Sequence, residues 1–391
     1  MNRPLLLLAV CQALFLTNNV TFIAINGLVG LQLAPYGWMA TLPVTGYVVG
    51  AALAAMPVSR LQARVGRQRS FQFGLLVAAG SAALCALAVS IHSFWLLVAA
   101  TVVAGVYSAN GALYRFAGPE LVKPEQRERA LSLVLAGGVA GAFIGPNLAN
   151  ATRGWFAEPF VGAYVALIGV ALLGLVVMHF IRFPATPAPA AGAPAGRPIA
   201  ELLRQPAFAV AVMAAALGYG VMNLLMAATP IAMQQCGLPF SSAALVLEWH
   251  VLGMFVPSFF TGHLIKRFGA LPVMAVGVLL NLVCIAVALS GVELMQFLVA
   301  LFALGVGWNF LFVGGSTLLT EAYRPEEKIK TQGAMDFCVF TTMAVTSFAS
   351  GAMVTTRGWE WLNLSSLPVV ALIAGALLWL AVVRRREPAI A

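Results

Sequence analysis

Twelve apolar runs, each long enough to cross a bilayer, constrain this chain more than anything else in it. They lie near residues 5–32, 38–59, 70–91, 94–116, 130–151, 159–181, 207–233, 241–265, 271–290, 293–318, 332–355 and 361–383. A helix needs about 20 apolar residues to span roughly 30 Å of hydrocarbon. In that medium every backbone N–H and C=O must be paired within the chain, which leaves helices for runs of this length. Composition agrees: 61% of the 391 residues are hydrophobic and 9% are charged, against about 25% charged in soluble domains. The expected fold is an all-α membrane protein of twelve transmembrane helices. The first run follows Arg3 as a leader would, but its apolar length and the lack of a small-residue cleavage site read as a retained helix.

The cations sort by loop. With both termini cytoplasmic, twenty of the 22 lysines and arginines fall on the inner side. They include Arg60, Arg64, Arg67 and Arg69 after the second run, Lys266 and Arg267 after the eighth, and Arg384, Arg385 and Arg386 at the end. Arg153 and Arg357 fall outside. This bias predicts an inner-membrane protein with both termini in the cytoplasm. Trp38, Trp95, Trp155, Trp359 and Trp361 fall at outer ends, where indole rings favour the interface. The net charge of +9 therefore reflects membrane orientation, and no nucleic-acid partner is expected. The five cysteines are scattered inside or beside apolar runs without metal-ligand spacing and read as packing residues.

Residues 183–206 carry Pro184, Pro187, Pro189, Pro194 and Pro198 among alanines and glycines. Such a segment reads as a linker. It separates a six-helix half at 1–182 from another at 207–391. The halves repeat each other. Thr152-Arg153-Gly154-Trp155 returns as Thr356-Arg357-Gly358-Trp359, and the loop from Glu120 to Arg127 returns from Glu321 to Lys328. The loop from Ser59 to Gly66 returns from Gly262 to Gly269. The shared order predicts two pseudo-symmetric six-helix bundles.

The loop after the second run is similar to the pattern G-x-L-x-D-R-x-G-R-R of the major facilitator superfamily, matching at Leu61, Arg64, Gly66 and Arg67 and departing at Ser59, Ala63 and Gln68. The fifth run contains Gly141, Gly145 and Pro146 in the order G-x-x-x-G-P, with Ala149 and Asn150 behind them. This resembles a motif of proton-coupled antiporters in that superfamily, although a GxxxGP run also serves helix packing. The resemblance implies alternating access to a site between the halves near mid-membrane. It also implies an inner gate in which arginines pair with Glu120 and Glu321.

An ionisable group at membrane depth is costly and is a functional candidate. Glu248 in the eighth run is the leading candidate for a proton site, with His250 second; the plainer alternative for each is a fixed polar tie. Asp336 in the eleventh run, the only aspartate, is close enough to the inner end to join Lys266 or Arg267 in the gate. Asn19, Asn110, Asn223 and Asn309 recur in the first, fourth, seventh and tenth runs, which line the cavity in this superfamily, and Asn18 extends the patch. An amide offers two donors and an acceptor to a polar substrate or, equally, to a neighbouring helix. Trp249, Trp308 and Tyr47 add aromatic surface suited to a planar or amphipathic ligand.

There is no phosphate-binding loop, no HExxH and no dinucleotide fingerprint in the sequence, and four histidines at 92, 179, 250 and 263 are too scattered for a metal site. No cofactor or metal is expected, and no enzymatic reaction. The expected protein is a monomeric secondary transporter of a small organic molecule, with protons and membrane lipid as its other partners. Proton-coupled export is the first reading. Uptake of a nutrient or vitamin-like compound is the alternative, and a non-transporting membrane sensor the third.

Overall fold

The computed structural model describes residues 3–123, 126–184, 196–324 and 327–386. Residues 185–195 of the linker read at 183–206 lie outside the described residues. The described chain is built from α1 (Arg3–Leu33), α2 (Leu42–Val65), α3 (Arg67–Ser90), α4 (Phe94–Gly111), α5 (Tyr114–Ala117), α6 (Arg127–Thr152), α7 (Val161–His179), α8 (Ile199–Leu203), α9 (Pro206–Gln235), α10 (Phe240–Phe255), α11 (Ser258–Phe268), α12 (Ala270–Leu289), α13 (Leu294–Leu319), α14 (Lys328–Thr356) and α15 (Gly358–Arg386).

Among the described residues, eleven spans are long and apolar enough to cross a membrane, and α10 with α11 supplies a twelfth if the bent pair is one span. The eighth run, expected as one helix over 241–265, is thus broken and bends by 41°. The cause is local. Pro257 has no N–H to give the preceding turn, and its ring crowds the carbonyl of that turn, so the ladder is interrupted between Phe255 and Ser258. Pro57, Pro146 and Pro368 remain inside helices.

Packing groups the chain into two compact units. One comprises Met1–Ala188, Ala227–Glu248 and Ser347–Thr356; the other comprises Pro189–Met226, Trp249–Thr346 and Arg357–Ala391. The first unit therefore draws segments from both halves of the sequence repeat. Within it α1 lies along α6, and α2 along α4. Within the second, α12 lies against α13 and α15.

Small residues set these approaches, as they do wherever lipid-like side chains offer no hydrophobic driving force between helices. A Cβ on Gly50 of α2 would strike the backbone of Val102, and one on Gly105 of α4 would strike Ala51. In the second unit, Gly253 of α10 faces the Phe302 carbonyl and Gly305 of α13 the His250 carbonyl. The spacings of 203 and 200 residues between these pairs match the sequence repeat. The same crossing is thus built twice.

Candidate functional site

Glu248 lies on α10 within the first unit and is 8% exposed. Its Oε2 accepts a hydrogen bond from Asn147 Nδ2 at 2.9 Å. Asn147 follows Pro146 on α6, and its amide also donates to the Phe143 carbonyl at 2.8 Å. Pro146 has no N–H, so the helix loses one rung there. A carboxylate has room for several donors, and Asn147 is the one donor bonded to it among the described residues. The sequence does not single out Asn147; its place directly after Gly145-Pro146 is the available signal.

This joint is one of several at the end of the bundle where cations are scarce. Thr41 Oγ1, just before α2, donates to the Ser347 carbonyl at 2.6 Å and accepts from Gly351 N at 3.0 Å. Gly27 of α1 lies against Ala227 and Ile231 of α9. The Phe160 and Phe240 rings meet edge to face at 5.2 Å. All of these contacts belong to the first unit and join segments distant in sequence.

His250 is tied down. Its Nδ1 sits 2.7 Å from the Leu301 carbonyl, which can only accept, so Nδ1 carries the proton. Nε2 is buried with no partner among the described residues. Trp308 is 7% exposed and stacks on Phe312 at 5.2 Å and 9°. Tyr219 meets both rings edge-on, at 5.2 and 5.6 Å. Trp308 Nε1 is buried without an acceptor among the described residues. Phe312 and Tyr219 escaped the sequence reading, although Phe312 is one helical turn from Trp308 and Tyr219 one turn from Asn223. Trp249 is exposed and only edges Phe302 at 6.2 Å. Tyr47 is buried and stacks on Phe22 at 5.3 Å.

The amides separate into two kinds. Asn309 is fully engaged: it donates to the Met254 carbonyl at 2.7 Å and to Ser258 Oγ at 2.6 Å, and accepts from Thr261 at 2.7 Å. It holds α13 to the α10–α11 break. Asn110 accepts from Ser70 at 3.2 Å and packs on Gly74. Asn223 donates to the Met343 carbonyl and to Thr346 Oγ1 at 3.1 and 3.0 Å. Asn19 is half-buried and Asn18 is buried. Neither makes a side-chain hydrogen bond among the described residues, which leaves their amides for something else. The α6 glycines have a packing role: a Cβ on Gly141 or Gly145 would strike the Ala13 and Thr17 carbonyls of α1.

At the cation-rich end Arg67 grips Glu120 with two bonds of 2.6 and 2.5 Å, and Arg384 reaches Glu321 at 2.5 Å. Arg64 is exposed. Lys266 and Arg267 are exposed, as is Asp336; no ion pair joins them among the described contacts. Glu327, absent from the sequence reading, is fully buried. It accepts from Arg197 N, Nε and Nη2 at 2.7, 2.8 and 2.7 Å, and from Arg324 N at 3.0 Å. Lys330 Nζ donates to the Arg197 carbonyl. The Arg197 side chain, and then the other donors, hold the Glu327 carboxyl well below the usual carboxylate range.

Over residues 5–256 and again over 211–391 the chain matches the Major Facilitator Superfamily. It belongs to that superfamily. The riboflavin transporter RfnT of Brucella anthropi is 37% identical over 95% of this chain and 94% of its own. The MFS-type transporter YddS of Bacillus subtilis is 28% identical over 87% of this chain and 82% of its own. Among solved structures, a bacterial homologue of the human lysosomal transporter Spinster, inward-facing and unoccupied, superposes with a TM-score of 0.72 at 14% identity. That match covers 96% of this chain and 95% of the other. The all-helical fold of this superfamily is thus established for the chain, and it is a multi-pass membrane transporter.

Proposed function

We propose that this transporter carries a planar, polar vitamin of the flavin type into the cell by alternating access, with Glu248 as its proton-responsive group. The observation that carries the cargo is the 37% identity, along nearly the whole chain, to a riboflavin transporter. The side chains within each unit support it. Trp308, Phe312 and Tyr219 offer flat apolar faces of the kind that stack on a fused ring. Asn18 and Asn19 offer donors and acceptors for carbonyls and hydroxyls.

Uptake is favoured here over the export reading. Export rested on the Gly141–Pro146 motif of the fifth run and on Glu248; packing of α6 on α1 accounts for Gly141 and Gly145, and Glu248 serves uptake as well as export. The distribution of cations supports an inner-membrane position with both termini cytoplasmic. In that orientation the Glu248–Asn147 and Thr41–Ser347 joints close the outer end. Arg67–Glu120 and Arg384–Glu321 stand at the inner end, each tying its own unit together. The six-plus-six division at 1–182 and 207–391, joined through 183–206, supplies the two moving parts.

A riboflavin-auxotrophic bacterium without its own uptake system tests the reading. Expression of this chain is expected to restore growth on low external riboflavin. Failure to grow, despite protein in the membrane, contradicts the cargo or its direction; a strain that instead expels riboflavin supports export.

A further inference from the structure

Beside the joints of the cation-poor end lies a cavity of about 460 Å³. One wall is the turn at 153–160 and the other runs from Pro230 to Ala243, all within the first unit. Its volume falls in the range of roughly 300–1,000 Å³ typical of small-molecule sites, which combine apolar walls with a few convergent polar groups. Here Phe160 and Phe240 give ring surface, and Arg153, Gln32 and Gln234 give the polar groups.

Two features set this cavity apart from leftover space. Arg153 is half-buried, its guanidinium 5.6 Å from the Phe240 ring centre, and it has no carboxylate partner among the described residues. The acid on the same turn, Glu158, sits 3.5 Å from His92 instead. An uncompensated cation over an aromatic wall draws acceptor oxygens and anions. The second feature is Phe160. It is buried, yet its φ of +69° is left-handed, a conformation that costs a bulky residue roughly 1–3 kcal/mol and tends to persist at functional sites. The Phe160 N–H donates to the Arg153 carbonyl at 2.9 Å, and the Phe160 carbonyl accepts from Ala163 N at 3.0 Å. These bonds fix the ring against Phe240. The repeat lacks the arrangement: α15 begins at Gly358, directly after Arg357, and Arg357 lies 6.0 Å from the Trp361 ring.

We propose that this cavity is a capture subsite, separate from the amides of α1. It takes a planar heteroaromatic solute that bears an anionic or carbonyl oxygen. The ring lies in the Phe160–Phe240 corner, and the oxygen meets Arg153. The proposal rests on the flavin reading for its choice of ring, and its test does not depend on transport.

Ala157 lines the cavity and is exposed, so Ala157→Cys in the full chain with Cys236→Ser and Cys338→Ser, the two cysteines that are not buried, gives a local reporter. Flavin mononucleotide is expected to slow maleimide labelling at that site about threefold or more. Arg153→Gln should remove the protection, Arg153→Lys should keep most of it, and Arg357→Gln all of it. Unchanged labelling with flavin mononucleotide in the reporter chain, or full protection in Arg153→Gln, overturns the proposal. So does protection by phosphatidylglycerol vesicles to which the flavin adds nothing, which would assign the cavity to lipid headgroups. Arg153-dependent protection in a chain that imports no riboflavin keeps the subsite and loses the cargo. Import without protection does the reverse.

Discussion

Asn147 Nδ2 lies 2.9 Å from Glu248 Oε2 and joins α6, one residue past Pro146, to the only buried acid of α10. A buried carboxylate held by a single neutral donor is poised to change partners when it gains a proton, because the protonated form becomes a donor itself. Glu248→Gln keeps the shape and an acceptor for Asn147. It is expected to fold with an unchanged thermal midpoint and to lose the pH dependence of uptake, with a fall in driven transport of about tenfold or more. Asn147→Ala strands the carboxylate and is expected to destabilise by about 1–3 kcal/mol. Thermal melts in detergent and uptake at pH 6 and 8 check both.

The two kinds of asparagine should respond in opposite ways. Asn309→Ala breaks three hydrogen bonds at the α10–α11 break. It should lower stability by about 1 kcal/mol while leaving the KM for riboflavin within about twofold. Asn19→Ala removes an amide with no protein partner among the described residues, so it should leave the melt unchanged and raise KM about fivefold or more. The opposite ranking would make Asn19 a packing residue.

The aromatic cluster makes a third prediction. Phe312→Ala takes away the ring stacked on Trp308 and should raise KM for riboflavin about tenfold. Phe312→Tyr should keep affinity near that of the unaltered chain. Uptake kinetics across a concentration series separate the two.

Glu327 gives a pH-dependent prediction. Its folded-state carboxyl titrates below the ordinary range because Arg197 bonds it. A depressed acid contributes stability that is present above the unfolded value, about 4.3 for glutamate, and is lost as pH falls through the folded value. The advantage of the unaltered chain over Glu327→Gln is therefore expected to be constant from pH 8 to pH 6 and to shrink only below about pH 4. Melts across that series measure it, and a gap that closes near pH 6 contradicts the assignment.

The fold was largely legible because bilayer thickness sets a length that apolar runs must meet, and every run from 5–32 to 361–383 returned as a span or as the bent pair. The break in the eighth run was also visible in principle at Pro257, but hydropathy continues across a proline even where the hydrogen-bond ladder does not. Glu248 stood out because charge at that depth is rare. Its partner did not, since an asparagine near a helix end carries no signal of what lies across from it. The Arg197–Glu327 pair joins two loops 130 residues apart, a distance over which local periodicity says nothing. The amides could be counted but not sorted, because the sequence does not reveal whether Asn309 meets Ser258 or open space.

Uptake of labelled riboflavin into proteoliposomes, with and without an inward proton gradient, measures both the cargo and its coupling through Glu248. Saturable accumulation that the gradient stimulates is expected in the unaltered chain, and loss of that stimulation in Glu248→Gln. No accumulation in the unaltered chain under either condition, or equal stimulation in both proteins, would contradict the proposed cargo or coupling.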